Sequence, residues 1–151
     1  MSAASALPSP ESTTPPQILL GHKFAPAYSY PSPNVPGKSL VALVVDYEPG
    51  AKTPPHRHGS TFVVAYVLSG AVRSQVNDEE VKVYHAGESW SEAPGVYHNV
   101  SENASATEPA KFIATFLVDS DYKELVTFDC EACKIAKDVL SVEGKKNQLE
   151  G

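Results

Sequence analysis

Residues 50–58 read Gly50-Ala51-Lys52-Thr53-Pro54-Pro55-His56-Arg57-His58, and this stretch decides how the rest of the chain is read. On a β-strand, residues two apart project to the same face. His56 and His58 therefore stand side by side, roughly 7 Å apart at Cα, as half of a metal site. Pro54 and Pro55 stiffen the approach and lower the entropy cost of holding the pair. A third nitrogen must come from elsewhere. His98 is the candidate, because it falls on an expected strand just after the tight Pro94-Gly95 corner.

Outward from this stretch the pattern is strand, turn, strand. Leu40 to Tyr47 is a β-branched run ended by Pro49 and Gly50. Thr61 to Leu68 is another, ended by Ser69 and Gly70, and Ala71 to Val76 follows directly, so the two read as a tight hairpin. Asn77 and Asp78 make a turn before Val81 to His85. Ser89 to Glu92, Val96 to Val100 and the strongly apolar Lys111 to Val118 complete the set. Ile18 to Phe24 is an expected first strand, whereas the prolines between Pro26 and Lys38 predict an irregular connection. About eight short strands with turn signals at this spacing indicate a closed or double-sheet all-β structure.

Composition agrees with one soluble domain. The 151 residues are 42% apolar and 20% charged, with 13 prolines and 9 glycines. Residues 1–16, rich in Ser, Ala, Pro and Thr, are expected to be disordered. Residues 17–128 form the barrel. Residues 129–151 supply a short helix over Glu131 to Leu140 and a frayed tail, with Cys130 and Cys133 read as ordinary thiols. The net charge of −6 and pI of about 5.3 offer no basic stripe for nucleic acid. No apolar run reaches the ~20 residues of a membrane span. No basic cluster precedes an apolar block at the N-terminus, so a cytoplasmic protein is the expectation.

With the histidines in place, the sequence resembles the cupin superfamily. The first motif of that family is Gly, five residues, His-x-His, three or four residues, Glu, six residues, Gly. Gly50, His56, His58 and Gly70 fall in place, and the Glu position holds Val63, with Phe62 at the shorter spacing. The second motif is Gly, five residues, Pro-x-Gly, two residues, His, three residues, Asn. Gly87, Gly95 and His98 match, with Pro94 beside Ala93 at the Pro position and Asn103 beside Glu102 at the Asn position. The resemblance implies a single jelly-roll β-barrel of the small cupin type, in a variant with three His and no motif-1 Glu.

That variant implies a divalent ion on His56, His58 and His98: Fe(II) first by analogy, with Ni, Zn, Cu or Mn as alternatives. Three neutral imidazoles leave the ion its full charge, which favours an anionic or enolisable small-molecule substrate. About three coordination positions stay open. The implied chemistry is an oxidoreductase of dioxygenase type. A non-redox lyase, decarboxylase, isomerase or cyclase is the alternative, and a non-catalytic binding module is a third reading. Gln75 and Arg73 share a parity and are expected to face the interior, Gln75 as a weak ligand or hydrogen-bonding group and Arg73 as a carboxylate fork. The plainer reading puts both in solvent or at the barrel mouth. Tyr66 joins them as a candidate catalytic side chain, and Phe62, Val63 and Trp90 as pocket wall. Tyr97, next to His98, is expected on the opposite face. Glu88 and Glu92, near the second motif, are candidates for an acid or base, with solvated turn residues as the plainer reading. A homodimer paired through edge strands is expected from the family and from the need to cover sheet edges.

Overall fold

A computed structural model describes residues 21–128. Eleven strands are formed in chain order: β1 (His22–Pro31), β2 (Lys38–Tyr47), β3 (Lys52–Thr53), β4 (His56–Arg57), β5 (Phe62–Ser69), β6 (Ala71–Val76), β7 (Lys82–His85), β8 (Ser89–Glu92), β9 (Tyr97–Asn103), β10 (Ala110–Asp119) and β11 (Thr127–Phe128). One sheet runs β1-β2-β10-β5-β8. The other runs β11-β4-β9-β6-β7, with β3 paired to β9. Every pairing is antiparallel. The result is a jelly-roll all-β fold. Among the described residues no helix is long and apolar enough to cross a membrane. The expected disordered segment 1–16 and C-terminal helix, with Cys130 and Cys133, lie outside the described residues.

The core follows from period-two alternation. β10 buries Ala110, Phe112, Ala114, Phe116 and Val118, and β5 buries Val63, Ala65 and Val67 on the facing rows. Tyr47, Trp90 and Phe112 join them, with Phe112 in ring contact with both Tyr47 and Trp90. All-apolar runs such as Phe62–Leu68 do not reveal in sequence which parity faces inward; packing against β10 decides it.

Two expectations are corrected. The proline-rich stretch is not an irregular connection, since β1 continues through Pro26 to Pro31. Proline is tolerated there because β1 is an edge strand, and its register slips between Pro26 and Tyr28. Nor do β5 and β6 form a hairpin, because they belong to different sheets. Gly70, at φ +72°, turns the chain from one sheet to the other against β10, where a Cβ would lie 2.4 Å from the Pro109 carbonyl oxygen. Only glycine fits that conformation and that approach.

Candidate metal centre

Two strands of one sheet, with the residue that follows one of them, and one strand of the other sheet converge on a single point. His56 of β4 is the register partner of His98 on β9. His58 follows two residues along. From the opposite sheet, β8 contributes Glu92, directly across from Val63 of β5. His56, Glu92 and His98 are buried and His58 nearly so, and one donor atom from each of the four lies within 4.8 Å of the others.

The hydrogen bonds behind the rings fix which atoms face inward. His56 Nδ1–H donates to the Pro54 carbonyl at 2.7 Å, and His58 Nδ1–H donates to the Leu125 carbonyl at 2.6 Å. A carbonyl can only accept, so in both neutral rings Nε2 carries a lone pair toward the centre. His98 presents Nδ1 to the centre, while its Nε2 is 2.8 Å from Ser74 Oγ. Each ring is also backed by an aromatic: Phe128 against His56, Phe116 against His58 and Trp90 against His98. A slip in the β6–β9 register between Gln75 and Val76 lets both His98 and Ser101 face inward, three residues apart.

Glu92 completes the set. Its Oε1 lies 2.9 Å from His98 Nδ1 and accepts from Trp90 Nε1 at 3.0 Å. Its Oε2 stands 3.1 Å from His58 Nε2 but has no hydrogen-bond partner of its own. Burial pushes the Glu92 carboxyl up, and the facing His58 and His98 imidazoles outweigh it, holding the group well below the usual carboxylate range. His56 moves the other way from its ordinary value. Burial, then the neighbouring His58 and His98, push it down to about 3, so it stays neutral and able to ligate. The Nε2 atoms of His56 and His58, the Nδ1 of His98 and a carboxylate with an orphaned oxygen converge on one buried point, an arrangement that a bound cation relieves. The contacts of 2.9, 3.1 and 3.3 Å among them match the ~3.0 Å between adjacent ligands of an ion with ~2.1 Å bonds. The residues present therefore fit a divalent metal.

The site opens into a cavity of about 170 Å³. Its walls are mostly apolar: Leu43, Val63, Trp90, Phe112, Phe116 and Leu125 are among them. Thr53 and Ser101 contribute hydroxyls, and Lys123 and Glu124 stand in the segment after β10 that also borders it. Tyr47 braces the two hydroxyls, at 2.5 Å from Thr53 Oγ1 and 3.0 Å from Ser101 Oγ.

The structure brings together His56, His58, His98, Val63 and Trp90 at this cavity, and it places the other candidates elsewhere. Arg73 and Gln75 lie on the outer face of β6, because Val72 and Ser74 take the inward parity. Arg73 pairs with Glu102 at 2.7 Å, while Gln75 bonds Asn99 and the Glu79 carbonyl. Phe62 and Tyr66 are exposed on the outer face of β5. The inward polar residue on β6 is Ser74, which was not singled out. Glu92 is no solvated turn residue. It shares a parity with Trp90 in the alternating Ser89-Trp90-Ser91-Glu92, so a buried tryptophan carries the glutamate inward with it. That alternation was the signal in the sequence. The motif-1 position does hold Val63, and a carboxylate from the neighbouring strand reaches the same place.

A cupin domain is what this fold and this donor set define, and a family model described as "Cupin domain" matches residues 43–116. The match spans 74 of the 151 residues, from Leu43 in β2 to Phe116 in β10. Solved structures similar to it include the cupin domain of Schizosaccharomyces pombe Cnp3, at TM-score 0.55 and 21% identity over 66% of this chain and 62% of that one. Another is KdgF from Halomonas sp., at TM-score 0.54 and 20% identity over 67% and 82%. A third is an oxalate oxidase in complex with the substrate analogue glycolate, at TM-score 0.56 and 19% identity over 85% and 63%. The chain thus spans less than two thirds of the Cnp3 and oxalate oxidase chains. No curated protein matches in sequence.

Proposed function

We propose that the chain is a metal-dependent cupin enzyme acting on a small anionic or enolisable molecule, with oxidoreductase chemistry of the dioxygenase type. The observation that carries this is the buried set of four convergent side chains at the wall of an apolar cavity. His56, His58, Glu92 and His98 would hold the ion, which would supply Lewis acidity and, as Fe(II), one-electron redox chemistry.

Glu92 changes the charge argument made from three histidines. With one carboxylate in the donor set, a divalent ion keeps a net charge of +1, so a singly charged enolate, phenolate or thiolate would neutralise the site. The walls suit such a molecule with an apolar body: Trp90, Phe112 and Phe116 exclude water and strengthen charge interactions at the centre. The Thr53 and Ser101 hydroxyls can hydrogen-bond an oxygen remote from the chelating end, and Lys123 offers a positive charge among the bordering residues.

The fourth donor also favours a second reading. Four protein ligands leave about two positions of an octahedral ion, which a two-toothed enolate fills by itself. A non-redox lyase, decarboxylase, isomerase or cyclase needs no more than that. One experiment separates the two. Purified protein is analysed for metal, loaded with Fe(II) or Zn(II), and given a panel of diketones, phenols and thiols in air and under argon. Oxygen consumption by the Fe(II) form, lost in His58→Ala, supports the dioxygenase. Turnover by the Zn(II) form under argon supports the second reading. Protein that retains no divalent metal overturns both.

A further inference from the structure

Behind two of the three imidazoles stands a backbone carbonyl, and behind the third a side chain. The Pro54 and Leu125 carbonyls accept from Nδ1–H of His56 and His58, which turns Nε2 of both rings to the centre. His98 is held the other way round. Its Nδ1 lies 2.9 Å from Glu92 Oε1 and 3.3 Å from His56 Nε2, and its Nε2 lies 2.8 Å from Ser74 Oγ. Half a turn of the ring about Cβ–Cγ would exchange Nδ1 with Cδ2 and Nε2 with Cε1, so carbon would replace nitrogen at both contacts. Two rings pack against His98 in this orientation: Trp90, with centroids 6.1 Å apart, and its register partner His56, at 4.9 Å. Ser74 in turn needs a reason to be where it is. With Val72 it supplies the inward positions of β6, the strand beside β9, and it is 4% exposed. A hydroxyl buried there is costly unless it finds a partner, and the partner it finds is His98.

We infer that His98 ligates the ion through Nδ1, in contrast to Nε2 of His56 and His58, and that Ser74 is the positioning residue that fixes this choice; the inference rests on the metal centre proposed above. A neutral imidazole that gives its Nδ1 lone pair to a cation carries its proton on Nε2. In a ring only 3% exposed that N–H needs an acceptor, because a buried donor without one is strongly disfavoured. Ser74 Oγ stands in place to accept it. Serine thus does for His98 what the Pro54 and Leu125 carbonyls do for the other two rings. It does so from a side chain, so this orienting bond can be removed by substitution while the other two stay. The choice of nitrogen also places the ion. Nδ1 is nearer to Cβ along the ring than Nε2 is, so a ligand of this kind draws the ion closer to its own strand, β9, than an Nε2 ligand would.

Nitrogen NMR of the full chain loaded with Zn(II) tests this. In correlations through the ring-carbon protons, Nε2 couples strongly to both Cδ2–H and Cε1–H, whereas Nδ1 couples strongly to Cε1–H alone. Each ring therefore reports which nitrogen carries the proton and which the metal. Two metal-bound rings are expected with Nδ1 protonated and one with Nε2 protonated. The odd ring is assigned to His98 by its proton contacts with the indole of Trp90, the one tryptophan of the chain. Ser74→Ala is expected to bind Zn(II) roughly tenfold more weakly in competition with a chelator, the lower end of the ~10–100-fold that loss of a partner behind a ligand costs. Its His98 Nε2–H signal should be lost to exchange with water. Ser74→Thr, which keeps the hydroxyl, should restore both. Should Ser74→Ala fail to fold, Ser74→Cys, of similar size but a weak acceptor, takes its place with the same expected losses. Three rings all bound through Nε2, or an Nδ1-bound ring other than His98, overturn the inference and leave the metal centre standing. Protein that takes up no Zn(II) overturns both. Wild-type affinity with a persistent Nε2–H signal in the folded Ser74 variant overturns the role of Ser74.

Discussion

Replacing Glu92 with glutamine tests the centre most directly, because it removes one charge and almost no volume. Trp90 Nε1, 3.0 Å from Oε1, can donate to the glutamine oxygen as it does to the carboxylate, so the pocket wall should hold. What is lost is the anion that faces His58 and His98 at 3.1 and 2.9 Å in a site almost closed to solvent. Loss of a group that merely orients a ligand costs roughly 10–100-fold in metal affinity, or about 1.4–2.7 kcal/mol. Loss of a ligating carboxylate should cost at least the upper end of that range. Competition titration of apo protein with Zn(II) or Co(II) against a chelator of known affinity measures it, and the ligand-field spectrum of the Co(II) form reports the donor set. Wild-type affinity and an unchanged Co(II) spectrum in Glu92→Gln, alongside failure of His98→Ala to bind, would refute the four-donor centre and leave Glu92 as an acceptor for the rings.

Three further outcomes are expected. Because Val63 and Glu92 are register partners on β5 and β8, the double substitution Val63→Glu with Glu92→Val moves the carboxylate across the pair at constant total volume. It should bind metal at least tenfold better than Glu92→Val alone in the same titration. Gly70→Ala should destabilise the fold by about 3 kcal/mol or more in urea denaturation, from a left-handed backbone and a 2.4 Å approach to the Pro109 oxygen. An unchanged midpoint would mean that the β5–β6 corner is slack. Tyr47 is pushed up to about 12, first by burial, against an ordinary value near 10. The unfolded chain therefore loses this proton first as pH rises. The stability the neutral phenol contributes is complete below pH ~10 and falls by up to about 3 kcal/mol by pH ~12. Tyr47→Phe should remove that part of the alkaline dependence, which unfolding curves at pH 9 to 12 would show.

How much of this was legible beforehand depends on whether period and spacing carry the information. Strand positions were readable because β-branched runs between Gly, Pro and Asn turns encode extended segments locally: six expected strands match β2, β5 to β8 and β10 within two residues, and the seventh stops three residues short of the end of β9. The metal histidines were readable because His-x-His on a strand must share a face. Parity failed where a strand was apolar throughout, as in Phe62 to Leu68. It was also misjudged in Val72 to Gln75, where the alternation already favoured Ser74 over Arg73 and Gln75. Glu92 was obscured by reliance on motif position, although its alternation with Trp90 was visible.

The chain's local chemistry thus set the all-β class, the turns and three of the four donors, since each depends on residues within a few positions of one another. Which sheet β5 and β6 join, which strand supplies the carboxylate opposite Val63, and which carbonyl beyond β10 orients His58 were decided only in the folded state. Val63 and Glu92 are 29 positions apart and His58 and Leu125 are 67, and at such separations it is packing between the two sheets, rather than local propensity, that selects the neighbour.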